Sequence, residues 1–258
     1  MLAGLKVLVT GASSGIGRST CKVMSSHGAM VVGIGRNEDN LKGMVVENDI
    51  SSYVVADLAA DNECERAVSA AVTQMGGLTT VVNSAGVLQG GGMETATLEN
   101  FKYNFGTNVQ ATFEIMQHAI PHLKESKEQS PSIINISSVN AKQAFRGCAT
   151  YCASKAAVDQ LSRCASLDLA PFNIRVNVVN PGVVETPLQK RGGMSDEAYQ
   201  HFLARSVSVT HPLGEALSRV AQPEEVGELI SFLASKNAAF ITGECIAIDG
   251  GRQNLGAR

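Results

Sequence analysis

Short apolar runs rich in β-branched residues recur along the 258-residue chain and alternate with longer stretches of a different pattern. Such runs are typical of strands that are buried on both faces of a sheet. In the stretches between them, apolar residues recur every three or four positions, which is the period of a helix with one buried face. Seven strands are predicted, at 5–10, 30–34, 52–56, 79–83, 133–136, 175–179 and 244–248.

Helical patterns fill the intervals between these strands. They run from the first turn to about residue 27 and then over about 38–47, 62–75, 98–124, 149–169, 195–205 and 223–233. This alternation predicts an α/β fold with a doubly wound parallel sheet of Rossmann type, helices on both faces and the ligand at the strands' carboxyl ends. No repeat or linker interrupts it, so we expect one domain over 1–258. A weakly patterned insertion at about 183–221 is interpreted as a lid or substrate wall.

The first turn is rich in glycine. Gly11, Gly15 and Gly17 stand between the first strand and the first helix, in the sequence GASSGIG. A dinucleotide pyrophosphate can bind here, because glycines permit a tight turn and a close approach to the backbone, while the helix N-terminus supplies free N–H groups. The spacing is Gly-x-x-x-Gly-x-Gly rather than the common Gly-x-Gly-x-x-Gly. The alternative is an ordinary turn that uses glycine only for its geometry.

The end of the second strand is where a dinucleotide fold distinguishes NAD from NADP. An acidic residue there binds the 2′-hydroxyl of NAD, and a basic residue accommodates the 2′-phosphate of NADP. This chain has Gly35 and then Arg36, with Ser13 and Ser14 nearby in the first turn, so NADP(H) is predicted over NAD(H). The alternative is a solvated arginine at a helix start. Asp57, after the third strand, could contact the adenine or cap a helix.

The residues Ser138, Tyr151 and Lys155, which follow the fifth strand, suggest acid–base chemistry. Tyr151 and Lys155 lie one turn apart on the predicted helix at 149–169, so they share a face. A phenol has a reference pKa of about 10 and exchanges protons poorly near neutral pH until a cation stabilises its anion, which is the place of Lys155. Ser138 could hold a carbonyl oxygen against the phenol. The set predicts proton transfer at a carbonyl oxygen, and the alternative is a packed tyrosine beside a solvated lysine.

The composition is that of a soluble globular protein, with 44% hydrophobic and 17% charged residues, and the net charge of −3 gives no sign of nucleic-acid or membrane binding. The first strand begins near Leu5, which leaves no room for a signal or transit peptide, and the six cysteines form no Cys-x-x-Cys motif. We therefore expect a cytoplasmic protein with reduced thiols. His118 and His122 are spaced as metal ligands can be, but no third ligand is evident and no metal site is predicted.

Together these motifs resemble those of the short-chain dehydrogenase/reductase superfamily in its single-domain form. The matches run nearly end to end: TGASSGIG at 10–17, NSAG at 83–86, Asn108, Ser138, Tyr151-x-x-x-Lys155, NPGVVETP at 180–187 and ITGECIAIDGG at 241–251. The resemblance implies an oxidoreductase that interconverts a carbonyl and a secondary alcohol, with hydride from the nicotinamide. It also implies a homotetramer in which the helices at 98–124 and 149–169 pair across a two-fold axis.

The resemblance assigns roles to the candidate catalytic residues. Tyr151 would be the acid/base and Ser138 would position the substrate oxygen. Lys155 would lower the tyrosine pKa and bind the nicotinamide ribose. Asn108 would hold a water in a proton relay, although a buried helix asparagine can equally be a structural hydrogen-bond node.

The resemblance also defines a cofactor site. Asn83 and Gly86 would line the groove, while Val184 and Thr186 would hold the carboxamide. The predicted cofactor-binding residues are Gly11, Ser13, Ser14, Gly15, Ile16, Gly17, Arg36, Asp57, Leu58, Asn83, Ala85, Gly86, Tyr151, Lys155, Pro181, Gly182, Val184 and Thr186.

Two departures from the family pattern bear on the substrate. Four extra residues at 215–218 follow Gly214, which puts the wall of the substrate pocket in question. The acyl-carrier-protein reductases, which the chain is similar to, carry basic docking residues where this chain has Glu128, Gln129 and Phe172. The resemblance therefore leaves open whether the substrate is a carrier-bound acyl group.

The substrate pocket is predicted from 88–94, 139–146 and 183–218, with an apolar or mixed wall and no charged anchor. Its predicted apolar members are Phe145, Leu188, Met194 and Phe202. The alternatives within the enzyme hypothesis are a 3-oxoacyl reductase and a steroid or xenobiotic carbonyl reductase. A catalytically silent dinucleotide-binding sensor or scaffold is the competing class, and a fold-sharing methyltransferase is disfavoured by the Tyr–Lys helix. Cys148 and Cys152 flank Tyr151, either as small buried hydrophobes or as thiols whose oxidation disturbs it.

Overall fold

The computed structural model describes residues 1–126 and 131–255. Seven parallel strands form one sheet. They are β1 (Lys6–Thr10), β2 (Met30–Gly35), β3 (Ser52–Val55), β4 (Thr80–Asn83), β5 (Ser132–Ile136), β6 (Arg175–Pro181) and β7 (Cys245–Ile248). The spatial order is β3-β2-β1-β4-β5-β6-β7. The strand order therefore reverses between β1 and β4, which is where ligands bind in open sheets of this kind.

Ten α-helices connect the strands within the described part of the chain. They are α1 (Gly15–Ser26), α2 (Glu38–Val46), α3 (Glu63–Met75), α4 (Leu98–Phe105), α5 (Ala111–Lys124), α6 (Ala149–Leu169), α7 (Leu188–Arg191), α8 (Asp196–Arg205), α9 (Pro212–Leu217) and α10 (Pro223–Ala234). None of these described helices is both long enough and apolar enough to cross a membrane.

The central strands are apolar on both sides, because each side of the sheet is covered by helices. Val7 and Val9 of β1 belong to one buried cluster with Met24 of α1 and Ile230 of α10. Leu8, between them, points to the other side and belongs to a second cluster with residues of α3 and α5. Burial of each such side chain contributes about 1.5–3 kcal/mol. The two clusters hold the carboxyl ends of the strands in place as a platform, and the predicted doubly wound fold is confirmed.

The helical region predicted at 98–124 is confirmed, but it is not α-helical throughout. A π-helical turn at Gly106–Gln110 separates α4 from α5. A π turn adds a residue without ending the helix, so an apolar pattern continues through it and gives no boundary signal. The side chain of Asn108, within this turn, bonds to the main-chain N–H and C=O of Val87 at 2.8 and 3.0 Å. Turns of this kind are frequent at functional sites.

The insertion predicted at about 183–221 contains more structure than its pattern indicates. Only one helix is expected, at 195–205, and α8 confirms it. The structure adds α7, α9 and a second π turn at Ser206–Thr210. The helices α7 and α9 have four and six residues, too few for a helical period to be recognised. We call residues 183–217 the lid segment.

Candidate active site

The first turn forms one wall of a groove at the carboxyl ends of β1 and β4. Gly11 has a φ of 67°, and a Cβ there would lie 2.8 Å from the main chain of Ala85. A Cβ at Gly17 would collide with the carbonyl group of Gly11. The hydroxyl of Thr10 accepts hydrogen bonds from the N–H groups of Ser84 and Ala85 at 3.1 and 3.0 Å. The turn is thus packed against the loop after β4, with the N-terminus of α1 facing the groove as an anion site.

Nearly all of the predicted cofactor residues line this groove. They come from the first turn, from the ends of β2 and β3, from the loop after β4, from α6 and from the segment after β6. Those that line it are Gly11, Ser13, Ser14, Gly15, Ile16, Gly17, Arg36, Asp57, Leu58, Ala85, Gly86, Tyr151, Lys155, Pro181, Gly182, Val184 and Thr186.

Asn83 differs from this expectation, because the structure does not place it among the residues that line the groove. Its side chain is buried at the end of β4, where Nδ2 donates to Oδ1 of Asn135 at 2.9 Å. Asn135 in turn donates to the hydroxyl of Ser162 on α6 at 2.8 Å. Asn83 therefore ties β4 to β5, and it affects the groove only through the loop that follows it.

The corner at the end of β2 presents a cation. Arg36 is exposed there and lines the groove with Ser13 and Gly35. A Cβ at Gly35 would lie 3.0 Å from Oγ of Ser13, so the missing side chain keeps the corner open. The carboxylate of Glu38, the first acidic residue of α2, pairs with Lys42 at 3.1 Å. Of the three residues that line this corner, Ser13, Gly35 and Arg36, the arginine carries the charge.

The start of α6 carries Tyr151 and Lys155, the two residues predicted to act in proton transfer. The carbonyl of Lys155 accepts a hydrogen bond from the Ser137 hydroxyl at 3.0 Å, and Nζ of Lys155 donates to the carbonyl of Ile136 at 2.9 Å. Nζ lies 5.9 Å from the centre of the Tyr151 ring. Both hydrogen bonds come from the end of β5, so strand and helix together fix the ammonium group beneath the groove.

Burial dominates the protonation of this pair. It raises the pKa of Tyr151 to about 12, against a smaller lowering by the hydrogen bond to the Ser138 hydroxyl. Burial also lowers the pKa of Lys155 to about 8, opposed by the nearby carboxylate of Asp159. The lowering of the tyrosine pKa expected from Lys155 is not found, because desolvation dominates the shift and Lys155 is not among the described groups that act on it. The resting pair at pH 7 is a neutral phenol beside a mostly charged ammonium.

Asn108 is a hydrogen-bond node. Besides its two bonds to Val87, Nδ2 donates to the hydroxyl of Ser154 on α6 at 3.0 Å. The side chain thus joins the π turn to the loop after β4 and to the catalytic helix. Of the two roles considered for Asn108, the side chain fills the structural one, and a relay water would have to bind the main chain of the turn.

A second cavity, of about 370 Å³, adjoins the groove. Tyr151 and Ser138 line both spaces, so the phenol and the hydroxyl lie at their junction. None of the lining residues in the described chain comes from the insertion at 215–218, which completes α9 and reaches the turn after it. The cavity wall includes all four apolar residues predicted for it, Phe145, Leu188, Met194 and Phe202.

Two arginines at these cavities are absent from the sequence prediction. Arg191, on α7, lines the groove and donates through Nη1 to the hydroxyl of Ser14 at 2.8 Å. Arg252, in the turn after β7, lines the second cavity, although no charged anchor was expected there. Arg191 lies within the insertion that is interpreted as a lid or substrate wall, but no motif of the sequence singles it out. Nothing in the sequence marks Arg252, because its position depends on how the C-terminal turn folds back onto α6.

The two cysteines beside Tyr151 are half-buried. The N–H of Cys152 donates to the carbonyl of Cys148 at 2.9 Å, so they lie one helical turn apart. Burial raises the pKa of the Cys148 thiol. A thiol with a raised pKa stays protonated and reacts slowly with oxidants, which favours the packing role over the redox role.

Known proteins resemble this chain across both cavities. The family model described as enoyl-(acyl carrier protein) reductase matches residues 11–253. The trans-4-hydroxycyclohexanecarboxylate dehydrogenase of Sinomonas cyclohexanicum is 32% identical over 255 residues, covering 95% of this chain and 91% of that protein. The 3-oxoacyl-[acyl-carrier-protein] reductase of Thermotoga maritima is also 32% identical over 255 residues, covering 97% of this chain and 98% of that protein.

A solved structure shows the same architecture with a ligand. The 3-ketoacyl-(acyl-carrier-protein) reductase from Brucella melitensis, crystallised with NADH, is 30% identical to this chain and aligns with a TM-score of 0.86. The alignment covers 98% of this chain and all of that one. The similarity therefore includes the sheet, the groove and the lid segment.

Proposed function

The chain belongs to the short-chain dehydrogenase/reductase superfamily, and from this premise we propose an NADP(H)-dependent enzyme with Tyr151 as its acid/base. Its relatives are dehydrogenases and reductases, so the chain is an oxidoreductase of carbonyl and alcohol groups that uses a nicotinamide dinucleotide. The proposed role of Tyr151 is supported by its position together with Ser138 at the junction of the two spaces, where the phenol borders both the groove and the cavity.

The groove suits a dinucleotide because side chains are missing where one would obstruct it. A Cβ at Gly86 would lie 3.5 Å from both Nζ of Lys155 and Oδ1 of Asn108, so glycine keeps the ammonium open to the groove. Lys155 would then hold the nicotinamide ribose, and Val184 and Thr186 would hold the carboxamide. When bound, the cofactor supplies hydride in reduction and accepts it in oxidation.

In the direction of reduction, the Tyr151 hydroxyl donates its proton to the carbonyl oxygen of the substrate. The Ser138 hydroxyl, which acts to lower the pKa of the phenol, is placed to hold that oxygen. A phenol pKa of about 12 keeps the donor protonated at neutral pH. The ammonium of Lys155, whose Nζ lies 5.9 Å from the centre of the ring, would stabilise the phenolate that remains. In oxidation the phenolate takes the alcohol proton, and the same groups act in reverse.

The preference for NADP(H) rests on the corner at Arg36. A 2′-phosphate carries close to two negative charges, and a guanidinium with the Ser13 hydroxyl beside it forms charge-assisted hydrogen bonds to such a group. The 2′-hydroxyl of NAD would need an acceptor, whereas Gly35 offers no side chain. The first acidic residues of α2, Glu38 and Asp39, are not among the described residues that line the groove, so they do not supply that acceptor.

A 3-oxoacyl group on a carrier protein is the second candidate substrate, because the Thermotoga maritima relative is a 3-oxoacyl-[acyl-carrier-protein] reductase. Two of the three positions considered for carrier docking, Glu128 and Gln129, lie outside the described residues. The third, Phe172, is exposed, and Nζ of Lys124 lies 3.5 Å from the centre of its ring. Within the described residues, Lys124 is the cation that contacts this aromatic ring, and we propose a free carbonyl compound as the substrate. The apolar wall of the cavity equally suits a steroid or xenobiotic ketone.

We further propose a homotetramer, with cytoplasmic localisation as the sequence leads us to expect. Phe101 and Tyr103 on α4, Phe113 on α5 and Leu167 on α6 are exposed. Covering apolar side chains on two long helical elements would remove them from water across a two-fold axis. Sedimentation at micromolar concentration is expected to give four times the chain mass of 27.1 kDa, and a monomer would contradict the assembly.

The function is tested with a panel of ketones, diketones and secondary alcohols, each assayed with NADPH and NADH. Cofactor binding is measured separately from the fluorescence of the reduced nicotinamide. Turnover of several carbonyl compounds, faster with NADPH, is the expected result. Binding without turnover would favour a silent sensor, and absence of both would reject the proposed function.

A further inference from the structure

Arg252 is the charged side chain among the described residues that line the second cavity, which we propose binds the substrate. It follows β7 in a short 3₁₀ turn at Arg252–Asn254. Among the described residues that line the cavity, the others are apolar, small or uncharged, including the phenol of Tyr151. The positive charge of Arg252 interacts with that phenol and acts to lower the pKa of Tyr151. A permanent cation therefore shares the cavity with the reacting group.

The guanidinium has few protein partners. Nη2 makes one long hydrogen bond, 3.4 Å, to Oδ1 of Asn140, and Cζ lies 5.8 Å from the centre of the Phe145 ring. Within residues 1–126 and 131–255, no carboxylate lies within ion-pair distance of it. A guanidinium has five N–H donors in a planar fork, so most of its hydrogen-bonding capacity faces the cavity.

The nearest acidic group does not neutralise Arg252 by contact. Asp249 is buried, and its two carboxylate oxygens accept hydrogen bonds from the N–H groups of Gly251 at 2.9 Å and Gln253 at 2.7 Å. The carboxylate is used to fold the turn that carries the arginine. Its charge still supports the arginine electrostatically, but the donor fork of Arg252 remains free for a ligand.

We propose that Arg252 binds a carboxylate on the substrate, so that the enzyme acts on oxo acids or on the corresponding hydroxy acids. This rests on the proposed function, because it places the carbonyl of the same substrate at Tyr151 and Ser138. A planar guanidinium binds a planar carboxylate through two parallel hydrogen bonds. The apolar wall, with the Phe145 ring centre 5.8 Å from Cζ of the guanidinium, would contact the carbon skeleton between the two groups.

The test uses oxo acids of increasing length, 4-oxopentanoate, 5-oxohexanoate and 6-oxoheptanoate, each paired with its primary amide. The amide keeps the size and removes the charge. For at least one length, kcat/KM is expected to be about 10- to 100-fold higher for the acid, as charged hydrogen bonds give. Arg252→Gln should bring the acid-to-amide ratio close to one, and Arg252→Lys should give an intermediate ratio, because it keeps the charge and loses the fork.

A matched control is Arg146→Gln, which removes an exposed arginine next to Phe145 that does not line the cavity. It is expected to keep the acid-to-amide ratio. If it lowers the ratio as much as Arg252→Gln, the effect is long-range attraction and the proposal is wrong. If Arg252→Gln slows acid and amide equally while its pH profile shifts, the arginine only tunes Tyr151, and the proposal is also wrong.

Failure of the proposed function can be told apart from failure of this inference. Binding of the same acids and amides is measured by calorimetry with NADP⁺ present, for the wild type and for Arg252→Gln, after circular dichroism has shown that the variant is folded. Selective binding of the acid that is lost in Arg252→Gln supports the carboxylate site even without turnover. Equal binding of acid and amide by the wild type overturns it, whatever the enzyme reduces.

Discussion

The groove proposed for the cofactor and the cavity proposed for the substrate meet at Tyr151, but their walls are formed by different parts of the residues. At its first turn the groove is formed by backbone, since Gly11 and Gly17 leave no space for a side chain there. The cavity is formed mainly by side chains from four separated parts of the chain, which are the loop after β4, the region around the start of α6, the lid segment and the turn after β7. The first holds a ligand whose shape is constant, and the second can vary with the substrate.

This difference explains why the same architecture occurs in relatives with different named substrates. The Sinomonas and Thermotoga proteins are each 32% identical to this chain, yet one is named for a ring hydroxy acid and the other for a carrier-bound oxoacyl group. Replacing a side chain in a cavity wall changes shape and charge without moving the backbone. Replacing a glycine at the first turn forces the backbone to move. Specificity therefore resides in the region that is easier to change.

The junction should show the largest effect, because both regions depend on it. Tyr151→Phe removes the phenol proton and keeps the ring. We expect turnover to fall about 10²–10⁴-fold, the usual contribution of general acid–base catalysis, while NADPH still binds. Steady-state kinetics and a fluorescence titration give the two values, with Tyr103→Phe on the exposed face of α4 as the control. If the turnover of Tyr151→Phe is within a few-fold of that of the wild type, the proposed mechanism is wrong.

The next effect belongs to the groove alone. The wild type is expected to prefer NADPH over NADH by roughly 10- to 1,000-fold in kcat/KM, the range that one or two charged hydrogen bonds give. Arg36→Ala should remove most of this preference through a raised KM for NADPH. Arg18→Ala, which removes an exposed arginine of α1 paired with Glu47, should not. Equal use of both cofactors by the wild type would show that this corner is misinterpreted.

The same contrast decides how much can be predicted from the sequence. The groove is predictable because its glycines, Arg36 and the Tyr–Lys pair follow strand ends at short range, where local rules apply. Asn83 is the exception, since only packing decides that its side chain turns toward Asn135. The cavity is predictable in its apolar residues and not in its charge, because Arg252 lies about a hundred residues from Tyr151 in sequence. The π turn at Asn108 is hidden because the apolar pattern continues through it.

Arg191 connects the two regions and tests whether they are independent. Its guanidinium reaches from α7 to the Ser14 hydroxyl, beside the N-terminus of α1 where a pyrophosphate would lie. Arg191→Gln is expected to raise the Kd of NADPH about tenfold, through loss of a charged contact, and to change kcat less. Arg205→Gln, at the exposed end of α8, is the control within the same segment. If both variants bind NADPH like the wild type, the lid does not contribute to the groove.

The smallest expected effect is a pH-dependent stability of the lid segment, which is stabilised by hydrogen bonds of His211. His211 is buried there, and its Nε2 accepts a hydrogen bond from the N–H of Val183 at 3.0 Å while Nδ1 donates to the carbonyl of Ser206 at 3.0 Å. The bond from Val183 requires a neutral imidazole, because a protonated Nε2 cannot accept a hydrogen bond. Burial lowers its pKa below the ordinary value of about 6.5. The first turn is held by contacts that do not titrate, namely glycine backbone and the Thr10 hydroxyl.

A lowered pKa in the folded state means that the unfolded segment binds the proton more readily than the folded one. The stabilisation by His211 is therefore present above about pH 6.5 and is lost as the pH falls below that value, at no more than about 1.4 kcal/mol per pH unit. Hydrogen exchange, corrected for its intrinsic pH dependence, should show 183–217 losing protection between about pH 7.5 and pH 5.5, while 6–26 does not. His211→Gln, which can still accept from Val183 and cannot titrate, should abolish this pH dependence, whereas His201→Gln on the exposed face of α8 should keep it. A lid whose protection falls equally in His211→Gln would mean that another group governs the segment, and that the contrast between a titrating lid and a non-titrating groove does not hold.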